Sequence, residues 1–211
     1  MIRFINANEA FGYYYFLIQR YGISIENTVA LLNEGFYIDN PIDNKITFDF
    51  RNWKVDYAEK EWQWYISKNP SAIEISKSAP IWRKHMDASG HVNSNYGHQW
   101  SRGNQIDYVV QELKRNSTSR RAVVTIFDGK ENASYKLDSP CTLNIGFTIA
   151  GGKLNMSVMM RSNDLWFGFC NDQYCFSNLQ QLIANLLSIE VGWYYHFTNN
   201  LHVYDNKLNK R

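Results

Sequence analysis

The chain has 211 residues, of which 45% are hydrophobic and 16% aromatic, a composition that excludes an intrinsically disordered protein. Its 22 Lys and Arg residues nearly balance 20 Asp and Glu residues, and the formal net charge of +2 predicts neither a nucleic-acid nor a membrane partner. No stretch approaches the roughly 18 consecutive apolar residues of a membrane span, and the N-terminus lacks the features of a signal peptide. We therefore expect one domain over residues 1–211, located in the cytoplasm.

Helical spacing of apolar side chains recurs in the first part of the chain. Around Glu61, for example, Tyr57, Ala58, Trp62 and Tyr65 recur every three or four residues, while Glu and Lys occupy most other positions. The predicted helices cover residues 7–20, 55–68 and 104–115.

After Ser119 the pattern changes to short apolar runs that favour strands, and Gly151-Gly152 predicts a hairpin between two of them. A long apolar face with helical spacing then predicts one further helix before a final strand. Helices combined with a mostly β second half predict an α+β domain. The predicted strands cover residues 122–127, 143–150, 154–161 and 191–204, and the helix covers residues 172–190.

The cysteines Cys141, Cys170 and Cys175 form no CxxC pair and do not lie beside a His at metal-ligand spacing. We therefore expect a reduced compartment and no metal site. Taken alone, Cys141 is best interpreted as a small buried hydrophobic residue, because free cysteine is among the most buried residue types.

Arginines on both sides of Cys141 favour a second interpretation. Arg120 and Arg121 lie about twenty residues before it, and Arg161 lies twenty residues after it. If the strands pair as predicted, the three guanidinium groups can converge near the thiol. They would then lower the thiol pKa, favour a nucleophilic thiolate and bind a phosphate. The alternative for Arg120 and Arg121 is an exposed polar turn.

An acid lies near the end of the apolar segment MMRSNDLWFGFCNDQY, residues 159–174. This residue, Asp172, is placed where a buried polar group needs a partner. Taken alone, it is a good candidate for the N-cap of the predicted helix, because a helix N-terminus favours an anion.

Seven short motifs are distributed over residues 55–206. In chain order they are EWQW (61–64), IW (81–82), YGHQW (96–100), SRR (119–121), PC (140–141), RSNDxxxG (161–168) and HVY (202–204). Together they resemble the thymidylate synthase family, the folate-dependent enzymes that methylate or hydroxymethylate pyrimidines at carbon 5. The resemblance implies a large mixed β-sheet flanked by helices, with one sheet face forming a homodimer interface.

The resemblance also implies roles for the catalytic and phosphate-binding residues. Cys141 matches the nucleophile that adds to carbon 6 of the pyrimidine, and Glu61 matches the glutamate that orders water and handles protons. Arg161 and Ser162 match phosphate ligands. The pair Arg120 and Arg121 matches arginines that each subunit donates to the phosphate bound by its partner.

Further matches imply how the remaining parts of the substrates are held. His202 and Tyr204 match groups that bind the deoxyribose hydroxyl. Trp82 and Asp164 match positions that contact the cofactor, 5,10-methylenetetrahydrofolate, and Gly168 belongs to the same motif as Asp164.

Asp172 stands where the thymidylate-making members of the family have an asparagine. An asparagine pairs with ring nitrogen 3 and oxygen 4 of uracil, whereas cytosine reverses both hydrogen-bond partners. A protonated Asp, or an ionised Asp facing a protonated ring, fits cytosine. The same exchange marks the deoxycytidylate hydroxymethylases of this family, known from viruses that modify their cytosine. The resemblance thus predicts conversion of dCMP to 5-hydroxymethyl-dCMP.

Other outcomes stay open at this point. The enzyme can be a dCMP methyltransferase or a dUMP-using member, or the chain can be an inactive nucleotide-binding relative. Thr142 replaces a family histidine after the nucleophile, and His85 replaces a family tryptophan. Residues 26–35 contain no counterpart of the family's N-terminal phosphate arginine, for which Arg51 is a weak substitute. The chain also ends at Arg211, short of the family's C-terminal tail.

Overall fold

A computed structural model describes residues 1–134 and 137–208 of the chain. Its strands are β1 (Ile2–Phe4), β2 (Ile23–Ile25), β3 (Thr28–Ile38), β4 (Val123–Thr125), β5 (Thr142–Ala150), β6 (Lys153–Met160), β7 (Asn163–Asp164) and β8 (Glu190–Tyr204). Its α-helices are α1 (Ala7–Tyr21), α2 (Val55–Ile66), α3 (Ile81–His85), α4 (Tyr96–Ser101), α5 (Gln105–Arg115), α6 (Gly129–Ser134) and α7 (Cys170–Leu187). A π-helical segment, Leu165–Phe169, leads directly into α7.

The strands form one mixed sheet in the order β1-β3-β8-β6-β5-β4, with β2 added beside β3 and β7 beside β8. Strand β8 is central, since it runs antiparallel to β3 and parallel to both β6 and β7. The α+β class and the mixed sheet with flanking helices are therefore confirmed.

The core lies between one face of this sheet and the helices. Alternate residues of β8, such as Tyr194 and His196, are fully buried, and His196 packs against the rings of Phe36 and Phe169. The intervening residues of β8 lie on the opposite face and are only half-buried. The sheet therefore has one face covered by helices and one that the same chain leaves partly open.

Local sequence explains where the main elements begin and turn. Asn6 caps α1 by accepting a hydrogen bond from the backbone N–H of Glu9 at 3.0 Å. Gly151 and Gly152, at φ 61° and 74°, make the tight turn between β5 and β6 in the left-handed region that glycine adopts without strain. The predicted hairpin at this point is confirmed.

Some local predictions were wrong. Strands β1, β2 and β3 were not predicted, and residues 26–35 lie mostly in β3 rather than in a phosphate loop. Helix α7 begins at Cys170, not at Asp172, and its Leu182 and Leu186 are exposed.

Candidate active site

A cavity of about 450 Å³ lies between α2, α3, the loop before β5 and the start of α7. It collects residues from parts of the sequence that are more than one hundred positions apart. Seven of the predicted site residues line it: Glu61, Trp82, Cys141, Arg161, Asp164, Gly168 and Asp172.

Cys141 is held on the loop before β5 by Arg161. The guanidinium group of Arg161 donates from Nε to Pro140 O at 2.9 Å and from Nη2 to Ser139 O at 2.8 Å. Its backbone N–H donates to Cys141 O at 2.8 Å. These contacts place one cation beside the Cys141 thiol and hold the loop that carries it.

Burial raises the pKa of the Cys141 thiol to about 11, although the charge of Arg161 acts in the opposite direction. The prediction that three arginines converge on this thiol and lower its pKa is wrong within one chain. Arg120 and Arg121 are exposed and line a different surface depression beside Arg115 and Ser119. They lie at the start of β4 and not at the mouth of the cavity.

Glu61 projects from α2 into the cavity and is almost completely buried. Tyr65, one helical turn later, donates to its Oε1 at 3.1 Å, and both Tyr65 and Tyr57, one turn earlier, act to lower the pKa of the carboxyl group. Trp82 Nε1 in turn donates to Tyr57 OH at 2.9 Å, which links α3 to this group. Burial raises the pKa of Glu61 to about 7, so the carboxyl group can hold or release a proton near neutral pH.

Asp172 lies in the first turn of α7 and forms part of the cavity wall. Its Oδ2 accepts a hydrogen bond from Asn163 Nδ2 at 2.8 Å. The N-cap interpretation is wrong, because the helix begins two residues earlier, and Asp164 caps the preceding π-helical segment. Burial, followed by the nearby charge of Glu61, raises the pKa of Asp172 well above its usual range. Burial thus favours the neutral form of this carboxyl group.

The other end of the cavity suits a flat aromatic ligand such as folate. Trp82 and the half-exposed Phe167 line it, and burial raises the pKa of Asp164 to about 6. Arg51 lies next to this end: its Nε donates to Trp166 O at 2.7 Å, and its guanidinium carbon is 5.8 Å from the centre of the Phe167 ring. This end of the cavity therefore combines aromatic rings, a carboxyl group and a neighbouring cation, which could hold a flat polar ligand.

The remaining predicted residues lie near the cavity without lining it. Ser162 is half-buried beside Arg161. His202 pairs in register with Asp164 of β7, and its ring meets that of Tyr204 edge to face at 5.5 Å. Burial, followed by the charges of Asp164 and Cys141, raises the pKa of Tyr204. The roles of these residues stay predictions.

Sequence reasoning missed several groups that line the cavity. Tyr57 and Tyr65 were seen only as part of an apolar helix face, although their spacing of four from Glu61 places all three on one side of α2. Tyr96 and Asn163 were present in recognised motifs but received no role. Among the described residues, no cluster of His, Cys, Asp or Glu could hold a metal ion, and no helix is long and apolar enough to cross a membrane.

Known proteins are similar to this chain in sequence and in structure. The thymidylate synthase family model matches residues 45–211. A thymidylate synthase from Bacillus licheniformis is 26% identical over 191 residues, covering 86% of this chain and 68% of that protein. The deoxycytidylate 5-hydroxymethyltransferase of Enterobacteria phage T4 is 32% identical over 181 residues, covering 81% of this chain and 70% of that protein.

The fold is similar as well. The structure of thermostable thymidylate synthase A from Bacillus subtilis superposes with a TM-score of 0.81 at 22% identity, covering 97% of this chain and 83% of that one. The family model and the phage relative show that the chain belongs to the thymidylate synthase family, and the solved structure shows the same fold.

Proposed function

We propose that this protein transfers a one-carbon unit from 5,10-methylenetetrahydrofolate to carbon 5 of dCMP and releases 5-hydroxymethyl-dCMP. The observation that carries the proposal is the position of Asp172, a buried acid in the wall of the cavity that contains Cys141, whose pKa is raised by burial. A neutral carboxyl group can donate to ring nitrogen 3 of cytosine and accept from its amino group. The phage T4 relative, whose name includes this activity, supports the same substrate.

The first chemical step belongs to Cys141. Its sulfur adds to carbon 6 of the pyrimidine as a thiolate, and the electron pair of the 5,6 double bond makes carbon 5 nucleophilic. Because burial raises the thiol pKa to about 11, the thiolate must be stabilised locally, and Arg161 is the cation placed to do this. When bound, methylenetetrahydrofolate supplies the one-carbon unit, with Trp82, Phe167 and Asp164 available to hold it.

Glu61 is placed to direct water in the later steps. Its Oε2 is buried and makes no hydrogen bond to the described residues, while Tyr65 donates to Oε1. With a pKa of about 7, it can accept a proton from a water molecule that attacks the exocyclic carbon. This supports a hydroxymethyl product, since a methyl product requires hydride at the same carbon.

We also propose that two copies of the chain associate through the sheet face that the helices leave open. An aromatic cluster formed by Tyr37, Trp193 and Tyr195 lies there, with the ring of Tyr37 within 5.1 Å of both other rings. In such a dimer Arg120 and Arg121, which lie away from their own cavity, are available to the phosphate of the partner subunit. A half-buried aromatic face of this kind is typical of an interface.

The proposal is tested by incubating the purified protein with methylenetetrahydrofolate and either dCMP or dUMP, and by measuring product masses. We expect a hydroxymethyl product from dCMP only, and none from the Cys141→Ala variant, which lacks the nucleophile. The Asp172→Asn variant should lose preference for dCMP, because a carboxamide presents the hydrogen-bond pattern that suits uracil.

Other results would point to a different function. A methyl product would keep the reaction class and change the acceptor of the final step, and turnover of dUMP alone would make the chain a functional counterpart of the Bacillus thymidylate synthases. Binding of dCMP without any product would identify a nucleotide-binding relative that has lost catalysis.

A further inference from the structure

Asn163 and Asp172 form a hydrogen-bonded pair in the cavity wall. Asn163 is only 2% exposed, and its Nδ2 donates to Oδ2 of Asp172 at 2.8 Å. A Cβ atom at Gly168 would lie 3.0 Å from Asn163 Nδ2 and 3.2 Å from Asp172 Oδ2. The absence of a side chain at Gly168 therefore leaves room for this contact beside the ligand.

Among the described residues, the side-chain amide of Asn163 hydrogen-bonds only to Asp172. Its Nδ2 makes no second hydrogen bond to the described residues, and its Oδ1 is buried without a partner among them. The one hydrogen bond that this side chain makes within the described residues therefore goes to the carboxyl group of Asp172 and not to the backbone.

A neutral carboxyl group does not by itself distinguish cytosine from uracil. Its proton can reside on either oxygen, so Asp172 can present donor and acceptor in either order along the base edge. Cytosine needs a donor opposite ring nitrogen 3 and an acceptor opposite the amino group, and uracil needs the reverse. A second group must determine which oxygen of the carboxyl group carries the proton.

Asn163 can determine which oxygen of Asp172 carries the proton. An amide N–H binds the carbonyl oxygen of a carboxyl group better than its hydroxyl oxygen, so the contact at Oδ2 favours the proton on Oδ1. Oδ2 keeps a second lone pair for a base amino group. No hydrogen bond from the described residues reaches Oδ1, which leaves it available to a ligand in the cavity that Asp172 lines.

On the basis of the proposed function, we propose that Asn163 is a positioning residue for base selection. It holds Oδ2 of Asp172 as the acceptor opposite the amino group of cytosine and leaves Oδ1–H to donate to ring nitrogen 3. Uracil requires the proton on Oδ2, which weakens the Asn163 contact. Loss of about one hydrogen bond corresponds to roughly a tenfold change in relative affinity.

The test measures the dissociation constants of dCMP and dUMP by titration calorimetry on the full chain without cofactor. The variants are Asn163→Leu, which removes the donor at similar volume, Asp172→Asn and the double variant. We expect Asn163→Leu to reduce the preference for dCMP about tenfold, and to leave the ratio unchanged when Asp172→Asn is already present. Asn163→Ala carries the same expectation if the leucine variant does not fold.

A matched control is Asn155→Leu, which removes an equally buried amide of β6 that bonds backbone groups instead. This variant should lose stability without changing the ratio of the two dissociation constants. If the wild type does not prefer dCMP, the proposed substrate is wrong and the role of Asn163 is overturned with it. If the wild type prefers dCMP but Asn163→Leu weakens both nucleotides equally, the substrate stands and the role of Asn163 is overturned.

Discussion

Glu61 and Asp172 are two buried acids in one cavity, and different neighbours surround them. Burial raises the pKa of Glu61 to about 7, while Tyr65 and Tyr57 act in the opposite direction. Burial and the charge of Glu61 raise the pKa of Asp172 well above its usual range, while the hydrogen bond from Asn163 acts in the opposite direction. The two carboxyl groups are therefore coupled, because charge on one disfavours charge on the other.

Replacing Glu61 by Gln should change how stability depends on pH. Burial raises the folded-state pKa from 4.5 to about 7, so between these values the folded protein binds a proton that the unfolded chain does not. The contribution to stability is therefore fully present below about pH 4.5 and is lost as the pH rises through 7, by on the order of 3 kcal/mol. We expect Glu61→Gln to lose less stability than the wild type over this range.

Urea denaturation at several pH values between 4.5 and 8 measures this difference. The control is Glu59→Gln, which neutralises an exposed acid on the same helix and should follow the wild-type curve. Parallel curves for the wild type and Glu61→Gln would show that the carboxyl group of Glu61 titrates as in the unfolded chain.

At the scale of elements, the cavity depends on close contact between α2 and α4. Gly97 of α4 lies against the backbone of Tyr65, and a Cβ atom at this position would overlap that backbone. The contact brings Tyr96, which precedes Gly97, into the cavity beside the tyrosines of α2. The glycine of the YGHQW motif is thus explained by helix packing and not by turn conformation.

Gly97→Ala should therefore separate α2 from α4. Because the overlap is with backbone atoms, which cannot rotate away, we expect a loss of about 1 to 3 kcal/mol in the free energy of unfolding and weaker nucleotide binding. Chemical denaturation and calorimetry measure the two effects. Gly129→Ala is the matched control, since a Cβ atom there meets nothing within 4 Å, and it should leave both quantities nearly unchanged. Wild-type stability in Gly97→Ala would contradict the tight contact.

At the scale of the whole molecule, the proposed dimer predicts that inactive variants complement each other. Cys141→Ala lacks the nucleophile, and the double variant Arg120→Ala with Arg121→Ala lacks the phosphate ligands offered to a partner. In a dimer of one subunit of each kind, one of the two sites is intact. An equal mixture should therefore regain about a quarter of the wild-type activity after subunit exchange.

Activity of the mixture is compared with that of each variant alone, and sedimentation analysis reports the oligomeric state. Adding Trp193→Glu to both variants places a charge on the open sheet face and should give monomers without recovery. Mixed oligomers that form but remain inactive would show that Arg120 and Arg121 do not complete the site of a partner.

Much of the architecture followed from local patterns. Helices α1, α2 and α5 and strands β5, β6 and β8 have strong periodicity, and their predicted bounds are within a few residues of those observed. Strands β1 to β3 were missed because β1 and β2 have only three residues each, and the central part of β3, with Asn33 at φ 58°, interrupts the alternation. Short strands are stabilised by their neighbours in the sheet and not by their own sequence.

The sequence by itself determined the fold class, the family resemblance and the identity of the residues that can do chemistry, because residue types and motif spacing are local properties of the chain. Only the tertiary structure decided which of them meet. It brought Glu61, Cys141 and Asp172 into one cavity, left Arg120 and Arg121 outside it, and paired Asp172 with Asn163. It also reversed the expected direction of the Cys141 pKa shift, because burial raises this pKa and depends on every element packed around the thiol.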